Sequence, residues 1–297
     1  MPYKFLNPHL GGHQTQDGKR KMGGGMDLGA LSPGENCILG ITAGMLCKLT
    51  NYPLLSWKIS VQQGLGVSMN PAVVYRGLPM AMMNLGGTTA VQFGTTGFFQ
   101  KMMKKVSNDK DTVEMSGAFL GGLASGVPCS VWELIMIQQS RFGGSIPATL
   151  TRILSDHGVG GLGRGITMTL GRESLFTMAM LGVTPQIQRK LVESKALEDE
   201  NQALAVGALT GATLSATLTH PLDTIKTCLQ GDLKRIKYTN VVDTGTALAG
   251  EYGVIQGLFK GLSLRIGLIA TSFFLINKFK GILAPNLYPD VMGQEEE

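Results

Sequence analysis

Charged side chains that interrupt long apolar stretches are the first candidates for chemistry in this sequence. Lys48 ends the charge-free run 36–47, and Glu133 ends the run 115–132. Arg172 and Glu173 form a basic and acidic pair just before the run 174–188. A charge at mid-membrane depth is costly unless it faces water or an opposite charge. These residues are therefore predicted to point toward the protein interior.

Residues that would support catalysis or metal binding show no usable spacing. The four histidines lack metal-ligand spacing, and the four cysteines lie in apolar runs without a C-x-x-C pair. The glycine-rich segment 160–165 is not a dinucleotide-binding loop, because no predicted strand precedes it. The sequence predicts no enzyme, no metal site and no cofactor.

The composition is typical of close-packed helices in lipid. Hydrophobic residues make up 43% of the 297 residues and charged residues only 16%, with 41 glycines and 16 methionines. The mean hydropathy of +0.14 is low for helices that face only lipid, which indicates a polar side on each helix. The net charge of +5 includes no block of basic and aromatic residues, so it favours anionic lipid or an anionic solute over nucleic acid.

Six transmembrane helices are predicted, which makes the fold an all-α membrane protein. Charge-free stretches recur along the chain and extend to the roughly 20 residues that one span requires. They are 36–47, 77–100, 115–132, 174–188, 201–219 and 266–277. Residues 1–33 and 285–297 are predicted to be polar tails.

Three segments share one pattern, which is the signature of tandem repeats. Each has a helix with G-x-x-x-G, a proline near its end, a polar loop, and a basic residue before the glycine that opens a second span. The G-x-x-x-G pairs are Gly40/Gly44, Gly117/Gly121 and Gly207/Gly211, and the second elements are Tyr75-Arg76-Gly77, Gly163-Arg164-Gly165 and Phe259-Lys260-Gly261. The predicted two-helix repeats are 34–108, 109–197 and 198–284.

The third repeat carries the most specific motif, His220-Pro221-Leu222-Asp223-Thr224-Ile225-Lys226, followed by Gln230. It matches the P-x-[DE]-x-x-[KR] signature, with its trailing glutamine, of mitochondrial carriers. Over residues 35–283 the chain therefore resembles the mitochondrial carrier family, and the segments 136–139 and 172–185 are similar to its citrate/oxoglutarate branch. The resemblance implies a pseudo-threefold bundle with short matrix helices in the mitochondrial inner membrane.

In carriers the motif acid of one repeat pairs with the base of the next and closes the matrix side. The implied pairs are Lys58 with Asp223, Lys226 with Glu133, and Leu55 with Met136. The acid and the base are absent together from the last pair, so no buried charge is left alone there. The prolines predicted to kink their helices are Pro53 and Pro221, at the motif position, and Pro128, about one turn before it. The motif glutamines are Gln62 and Gln230. An alternative is that Glu133 is only a surface charge of its helix.

On the opposite, intermembrane side, the resemblance implies [FY]-[DE]-x-x-[KR] near the end of each even helix. Phe99-Gln100, Thr184-Pro185 and Phe279-Lys280 occupy those regions without a carboxylate. No ring of ion pairs is predicted there. Closure would use hydrogen bonds and packing, or the protein would no longer alternate between states.

Carrier substrate contacts lie about mid-membrane, mainly on the even helices. The corresponding residues are Arg172, Glu173, Asn84, Leu268, Arg265 and Lys48. A guanidinium holds a carboxylate by two parallel hydrogen bonds, which favours an anionic solute. The resemblance to the citrate/oxoglutarate branch implies a di- or tricarboxylate such as citrate or oxoglutarate. The Arg172–Glu173 pair also suits an amino acid, and an alternative is that it only joins two helices.

The helix N-termini after Gly77, Gly165 and Gly261 present free N–H groups beside a basic residue, which suits a lipid phosphate. In carriers, sites of this kind bind cardiolipin. The alternative is that each glycine only marks the change from loop to helix.

Two functions fit the resemblance. The first is exchange of a small anionic metabolite by alternating access. The second is a carrier-fold accessory subunit, without transport, of a larger inner-membrane complex such as a respiratory complex. The second is favoured by the absent intermembrane ion pairs and by the long segment 1–33.

Overall fold

A computed structural model describes residues 33–194 and 200–289 of the protein. The predicted N-terminal tail lies outside the described residues except for Pro33, as does the predicted C-terminal tail from residue 290 onward. Within the described ranges every regular element is helical and there is no strand. The predicted all-α class is confirmed.

Six long helical segments form the body of the protein. They are α1 (Pro33–Gln62), α3 (Leu78–Met103), α4 (Lys110–Phe142), α6 (Ile166–Thr177) continued by a π-helical turn (Met178–Val183) into α7 (Thr184–Glu193), α8 (Glu200–Gly231) and α11 (Leu262–Leu287). Short elements join them: α2 (Pro71–Val74), α5 (Ile146–His157), a 3-10 helix (Val159–Gly163), α9 (Val241–Tyr252) and α10 (Val254–Leu258). Helix α11 continues to Leu287, beyond the predicted end of the third repeat at 284, and Ala284 is fully buried in it.

Within the described residues, three helical segments are long and apolar enough to cross a membrane by length and composition. They are Ile38–Gln62, Lys110–Phe142 and Val254–Leu287. The other long segments carry more polar side chains, such as the threonines, Asn84 and Gln92 of α3. A polar helix can cross a membrane when its polar side faces the protein interior.

The long segments pack in chain order as a closed ring. Each packs against the next, from α1 through α3, α4, α6–α7 and α8 to α11, and α11 returns to α1. Helix α8 also contacts α1 and α4. The ring therefore brings α1, α4 and α8, which carry the motif acids and bases, together on its inner side.

The three prolines that were predicted to kink helices lie inside the three helices that meet there. Pro53 is in α1, Pro128 in α4 and Pro221 in α8. Each proline removes one helical N–H donor, which weakens the helix at that turn. This weak point lies two residues before the motif acid position in α1 and α8, and five residues before it in α4.

Close contact between helices depends on the G-x-x-x-G glycines in two of the three repeats. A Cβ atom at Gly121 would overlap the Thr96 side chain of α3 and approach its Cα to 2.7 Å, and one at Gly211 would approach the Thr184 Cβ to 3.0 Å. Gly40 and Gly44 have no neighbouring atom within 4 Å of such a Cβ among the described residues. The motif therefore mediates packing of α4 and α8 but not of α1.

Substituting these glycines should separate the two cases. Gly121→Ala places a methyl group against the backbone of α3, and we expect a loss of about 1–3 kcal/mol of stability from overpacking. Gly44→Ala meets open space and removes a flexible helix residue, so it should leave the melting temperature unchanged or raise it. Thermal unfolding of the detergent-purified variants measures both. Equal melting temperatures for the two would contradict the packing described here.

Candidate gating and solute-binding site

A network of buried charges lies where the helices converge. Its members are Lys58 of α1, Glu133 of α4, Arg172 and Glu173 of α6, Asp223 and Lys226 of α8, and Arg265 of α11. No side chain in it is more than 12% exposed. Four cations face three carboxylates, so the network holds an excess of positive charge. In low dielectric such charges are stable only when they are paired and hydrogen-bonded.

Asp223 is the centre of the network. Its carboxylate forms an ion pair with Lys58 and accepts a hydrogen bond of 3.0 Å from Gln62 Nε2. Its Oδ1 lies 3.5 Å from Lys226 Nζ, and one guanidinium nitrogen each of Arg172 and Arg265 lies 3.8 Å from the carboxylate. Asp223 therefore ties α1, α6 and α11 to α8.

Glu133 bridges two cations on different helices. Its Oε2 accepts hydrogen bonds of 2.8 Å from Arg172 Nη2 and 2.9 Å from Lys226 Nζ. Glu133 is 7% exposed, which is inconsistent with the alternative of an ordinary surface charge. Together with the Lys58–Asp223 pair, it joins α1, α4 and α8 by the contacts expected from the motif.

Arg172 is more strongly engaged than its predicted position suggested. Besides Glu133, its Nη2 lies 2.6 Å from Glu173 Oε1, so the guanidinium sits between two carboxylates. It thus joins α4 and α6. The Nε atom of Arg172 is buried without a hydrogen-bond partner in the part of the chain that the structure describes. One donor is therefore free to receive a ligand.

The third motif pair is replaced by apolar packing. Leu55 and Met136 belong to one buried cluster and are 9% and 4% exposed. Leu268 packs against the same cluster. Leu268 therefore contributes apolar packing. It matches a carrier substrate contact in its position along α11, but its side chain offers a solute no polar group.

The two motif glutamines hydrogen-bond across helices. Gln62 of α1 donates to Asp223 and, at 3.2 Å, to Thr224 Oγ1. Gln230 of α8 donates to the carbonyl oxygens of Ser130 at 3.1 Å and Arg164 at 3.3 Å. Gln62 therefore fastens α1 to α8, and Gln230 fastens α8 to α4 and to the segment that carries Arg164.

The remaining predicted contact residues are less constrained. Lys48 is half-buried and makes no ion pair within the described ranges, although Glu133 lies near enough to act on it electrostatically. Asn84 is half-buried and accepts a hydrogen bond of 2.7 Å from Thr88. Arg265 donates to Thr219 Oγ1 at 3.0 Å, and its Nη1 makes no hydrogen bond to a described residue. These groups are available to a solute.

The end of the ring at which α4 begins and α7 ends contains an ion-pair cluster that the sequence did not predict. Arg189 of α7 lies 2.7 Å from Asp111 and 3.2 Å from Glu114, both in the first turns of α4. Lys280 of α11 is 8% exposed and forms no ion pair with any described residue. The described residues contain no ring of ion pairs between α3, α7 and α11, which are the second helices of the three repeats. Helices α4 and α7 are nevertheless joined by the Arg189 ion pairs. The two acids Asp111 and Glu114, one helical turn apart, are the sequence feature from which this cluster could have been predicted.

The three glycines predicted to open lipid-phosphate sites all cap helices in the left-handed region. Gly77, Gly165 and Gly261 have φ values of 82°, 75° and 83°. The guanidinium of Arg164 is used within the protein, because it donates to the carbonyl oxygens of Leu229 at 3.2 Å and Thr239 at 2.6 Å. Cardiolipin at these three N-termini stays a prediction.

Asp232 organises the loop that follows α8, outside the membrane-spanning segments. Burial alone would raise the pKa of Asp232, but its carboxylate accepts N–H bonds from Ile236 (3.2 Å), Lys237 (2.7 Å) and Tyr238 (3.0 Å), and the pKa lies below its ordinary value. A depressed carboxyl pKa stabilises the folded state above the unfolded pKa of about 3.9 and loses that effect as the pH falls through the lower folded value.

Asp232→Asn should therefore lower the melting temperature at pH 7, by the equivalent of about 1 kcal/mol, because backbone donors lose a charged acceptor. The difference from wild type should shrink as the pH is lowered below about 4. Thermal unfolding at pH 7 and pH 3.5 measures it. A difference of the same size at both pH values would show that the ionised carboxylate is not the cause.

A closed ring of helices around buried charges is the architecture expected for a membrane carrier, and comparison with known proteins gives the family. The model of the mitochondrial carrier protein family matches residues 199–285. The S-adenosylmethionine carrier 1, chloroplastic/mitochondrial, of Arabidopsis thaliana is 30% identical over 280 residues, covering 89% of this chain and 83% of the relative. The chain belongs to the mitochondrial carrier family.

The names of two further relatives give one solute that is the same and one that is different. The probable S-adenosylmethionine carrier 2 of Arabidopsis thaliana is 28% identical, covering 84% of this chain and 74% of the relative. The succinate/fumarate mitochondrial transporter of Saccharomyces cerevisiae is 23% identical, covering 81% and 87%. The protein is accordingly a multi-pass solute carrier of the mitochondrial inner membrane and not an enzyme. The citrate/oxoglutarate branch stays a prediction.

Proposed function

We propose that the protein exchanges a small carboxylate metabolite, with di- and tricarboxylates as the preferred class, by alternating access. The observation that carries this proposal is the uncompensated positive charge between the helices. The buried network holds four cations and three carboxylates, and Lys48 adds a fifth cation without an ion pair to the described residues. Two negative charges on a solute would neutralise the site.

The free donors suggest where the carboxylates bind. Arg172 Nε and Arg265 Nη1 both lack hydrogen-bond partners within the described ranges, and these side chains lie on α6 and α11. A solute carboxylate that takes the Arg172 guanidinium competes with Glu133, which then keeps only Lys226. Solute binding in this way weakens the link between α4 and α6. The network that closes one end of the ring is thereby loosened by the solute.

A second candidate is a zwitterionic solute of the amino-acid type. Arg172 and Glu173 present opposite charges side by side, their atoms 2.6 Å apart, which suits an α-carboxylate and an α-ammonium group. Two relatives are named as S-adenosylmethionine carriers, one of them 30% identical. S-adenosylmethionine is therefore a necessary member of any solute panel.

Solute-dependent thermal stabilisation tests the proposed class. We expect citrate, oxoglutarate or succinate to raise the melting temperature of the detergent-purified protein, since a ligand that binds only the folded state stabilises it. Arg172→Ala should abolish the shift, and Lys237→Ala, which removes an exposed cation paired with Glu251, should retain it. Stabilisation by S-adenosylmethionine alone would favour the second candidate. No shift with any solute would contradict both and favour the accessory-subunit alternative.

A further inference from the structure

A basic groove lies at the loop end of the ring, outside the charge network. It consists of two adjoining cavities of about 760 Å³ and 400 Å³. Both are lined by Asp156 and His157 at the end of α5 and by Leu233 and Lys234 in the loop after α8. The larger volume falls in the range typical of small-molecule sites, roughly 300–1,000 Å³. We call this feature the basic groove.

Positive charge dominates the lining of the basic groove. The cations are Arg141, Arg152, Arg164, Lys234 and Arg235, and the carboxylates are Asp156 and Asp232. Two of these cations are already used, because Arg141 donates to the carbonyl of Gly231 at 2.7 Å and Arg164 to those of Leu229 and Thr239. Arg152, Lys234 and Arg235 remain to meet a ligand.

The backbone that carries Arg235 and the guanidinium of Arg152 are positioned by contacts within the protein. Arg235 adopts φ 55°, in the left-handed region, because Asp232 fixes the loop by accepting the N–H groups of Ile236 and Lys237. This also directs the Asp232 carboxylate toward the backbone and away from an incoming anion. Arg152 Nη2 is buried and makes no hydrogen bond within the described residues, and its guanidinium lies 4.8 Å above the Phe142 ring.

The groove also has an apolar floor. Ile153 and Leu233 are 1% and 9% exposed, and Phe142 forms part of the wall. Gly160 leaves room on the other side, since an added Cβ there meets no described atom within 4 Å. A site with separated cations over an apolar floor suits a ligand with a multiply charged oxyanion on an organic body.

We propose that the basic groove binds a phosphate ester, as carried by a nucleotide or by a lipid headgroup. Lys234 lines both cavities, so a phosphate there can meet it together with Arg152 in the smaller cavity or with Arg235 in the larger one. A terminal phosphate of a nucleotide is a dianion with three strong acceptor oxygens, and cardiolipin carries two singly charged phosphates, whereas a carboxylate offers two oxygens and one charge. The ligand joins α5 of the second repeat to the loop after α8 of the third. Binding there is independent of the proposed solute site, because the two share no residue.

A cavity-filling variant tests the proposal. ATP, AMP and a short-chain cardiolipin are titrated by calorimetry into the detergent-purified full chain. Gly160→Leu places a side chain in the larger cavity, since an added Cβ there meets no described atom within 4 Å. Gly163→Leu is the matched control, because it lies in the same 3-10 helix, an added Cβ there also meets no described atom within 4 Å, and it does not line the groove. We expect Gly160→Leu to weaken binding at least about tenfold and Gly163→Leu to leave it unchanged.

A charge variant gives a second, independent reading. Lys234→Gln combined with Arg235→Asn removes two free cations, with asparagine chosen because it tolerates the left-handed backbone. It should also weaken binding at least about tenfold, while Lys237→Gln in the same loop should not. Arg172→Ala should keep full affinity, which separates this site from the solute site. If the groove variants weaken the binding of cardiolipin but not that of ATP or AMP, the phosphate in this site comes from lipid. Binding of no phosphate probe, or unchanged binding in both groove variants, would overturn the proposal.

Discussion

Asp223→Asn should destabilise the protein by about 3–5 kcal/mol, because it leaves buried cations without their carboxylate. Lys58 has no other carboxylate within 4 Å in the described ranges, and its side chain is 9% exposed. Arg265 would lose the single ion-pair contact that it makes to a described residue, whereas Lys226 would keep Glu133. The neutral amide keeps the shape of the side chain, so the loss measures charge and not packing.

Thermal unfolding in detergent at pH 7 measures the effect of Asp223→Asn. The control is Glu251→Gln, which breaks the exposed Lys237–Glu251 pair and should leave the melting temperature nearly unchanged. A second control, Lys58→Met with Asp223→Leu, removes both charges of the first pair and should recover part of the stability. If Asp223→Asn melts like wild type, the buried network does not hold the helices together.

The apolar third pair gives the next largest expected effect. Leu55→Glu places a carboxylate in a cluster of buried apolar side chains and should cost several kcal/mol or prevent folding. Combining it with Met136→Lys supplies the missing base, as in the other two motif pairs. We expect the double variant to be more stable than Leu55→Glu alone by at least about 1 kcal/mol, since paired buried charges couple favourably.

A double-mutant cycle of melting temperatures measures this coupling. Leu55→Glu with Ile135→Lys is the matched control, because Ile135 is a buried member of the same cluster that is not the motif partner. Recovery should occur with lysine at 136 and not at 135. Equal recovery at both positions, or none at 136, would contradict the view that the acid and base of one pair were replaced together.

The sequence predicted the elements that follow from local patterns and from the motif. The all-helical fold follows from recurring apolar stretches, and the approach of Lys58 to Asp223 and of Lys226 to Glu133 follows from motif spacing on three equivalent helices. These contacts depend mainly on helix register, which the spacing of prolines, acids and bases sets.

Contacts that depend on side-chain reach or on local helix geometry could not be predicted in this way. The motif placed Arg172 at the right level, but its bridge between Glu133 and Glu173 depends on how α6 rotates against α4. The π-helical turn Met178–Val183, which leaves no sequence signal of its own, precedes α7 and hence Arg189. The spacing of Gly40 and Gly44 equals that of the packing glycines, yet their outward side is open. Only the assembled ring decides which face of a helix is covered.

Counter-exchange in liposomes tests most directly that this protein is a carrier whose buried network must open. Wild-type protein is reconstituted with internal citrate, oxoglutarate, succinate or S-adenosylmethionine, and uptake of the same labelled solute is followed with and without internal solute. We predict uptake of at least one solute that requires internal solute and is lost in Arg172→Ala but kept in Lys237→Ala. Absence of exchange by folded wild-type protein for the whole panel, or full exchange by Arg172→Ala, would contradict the account.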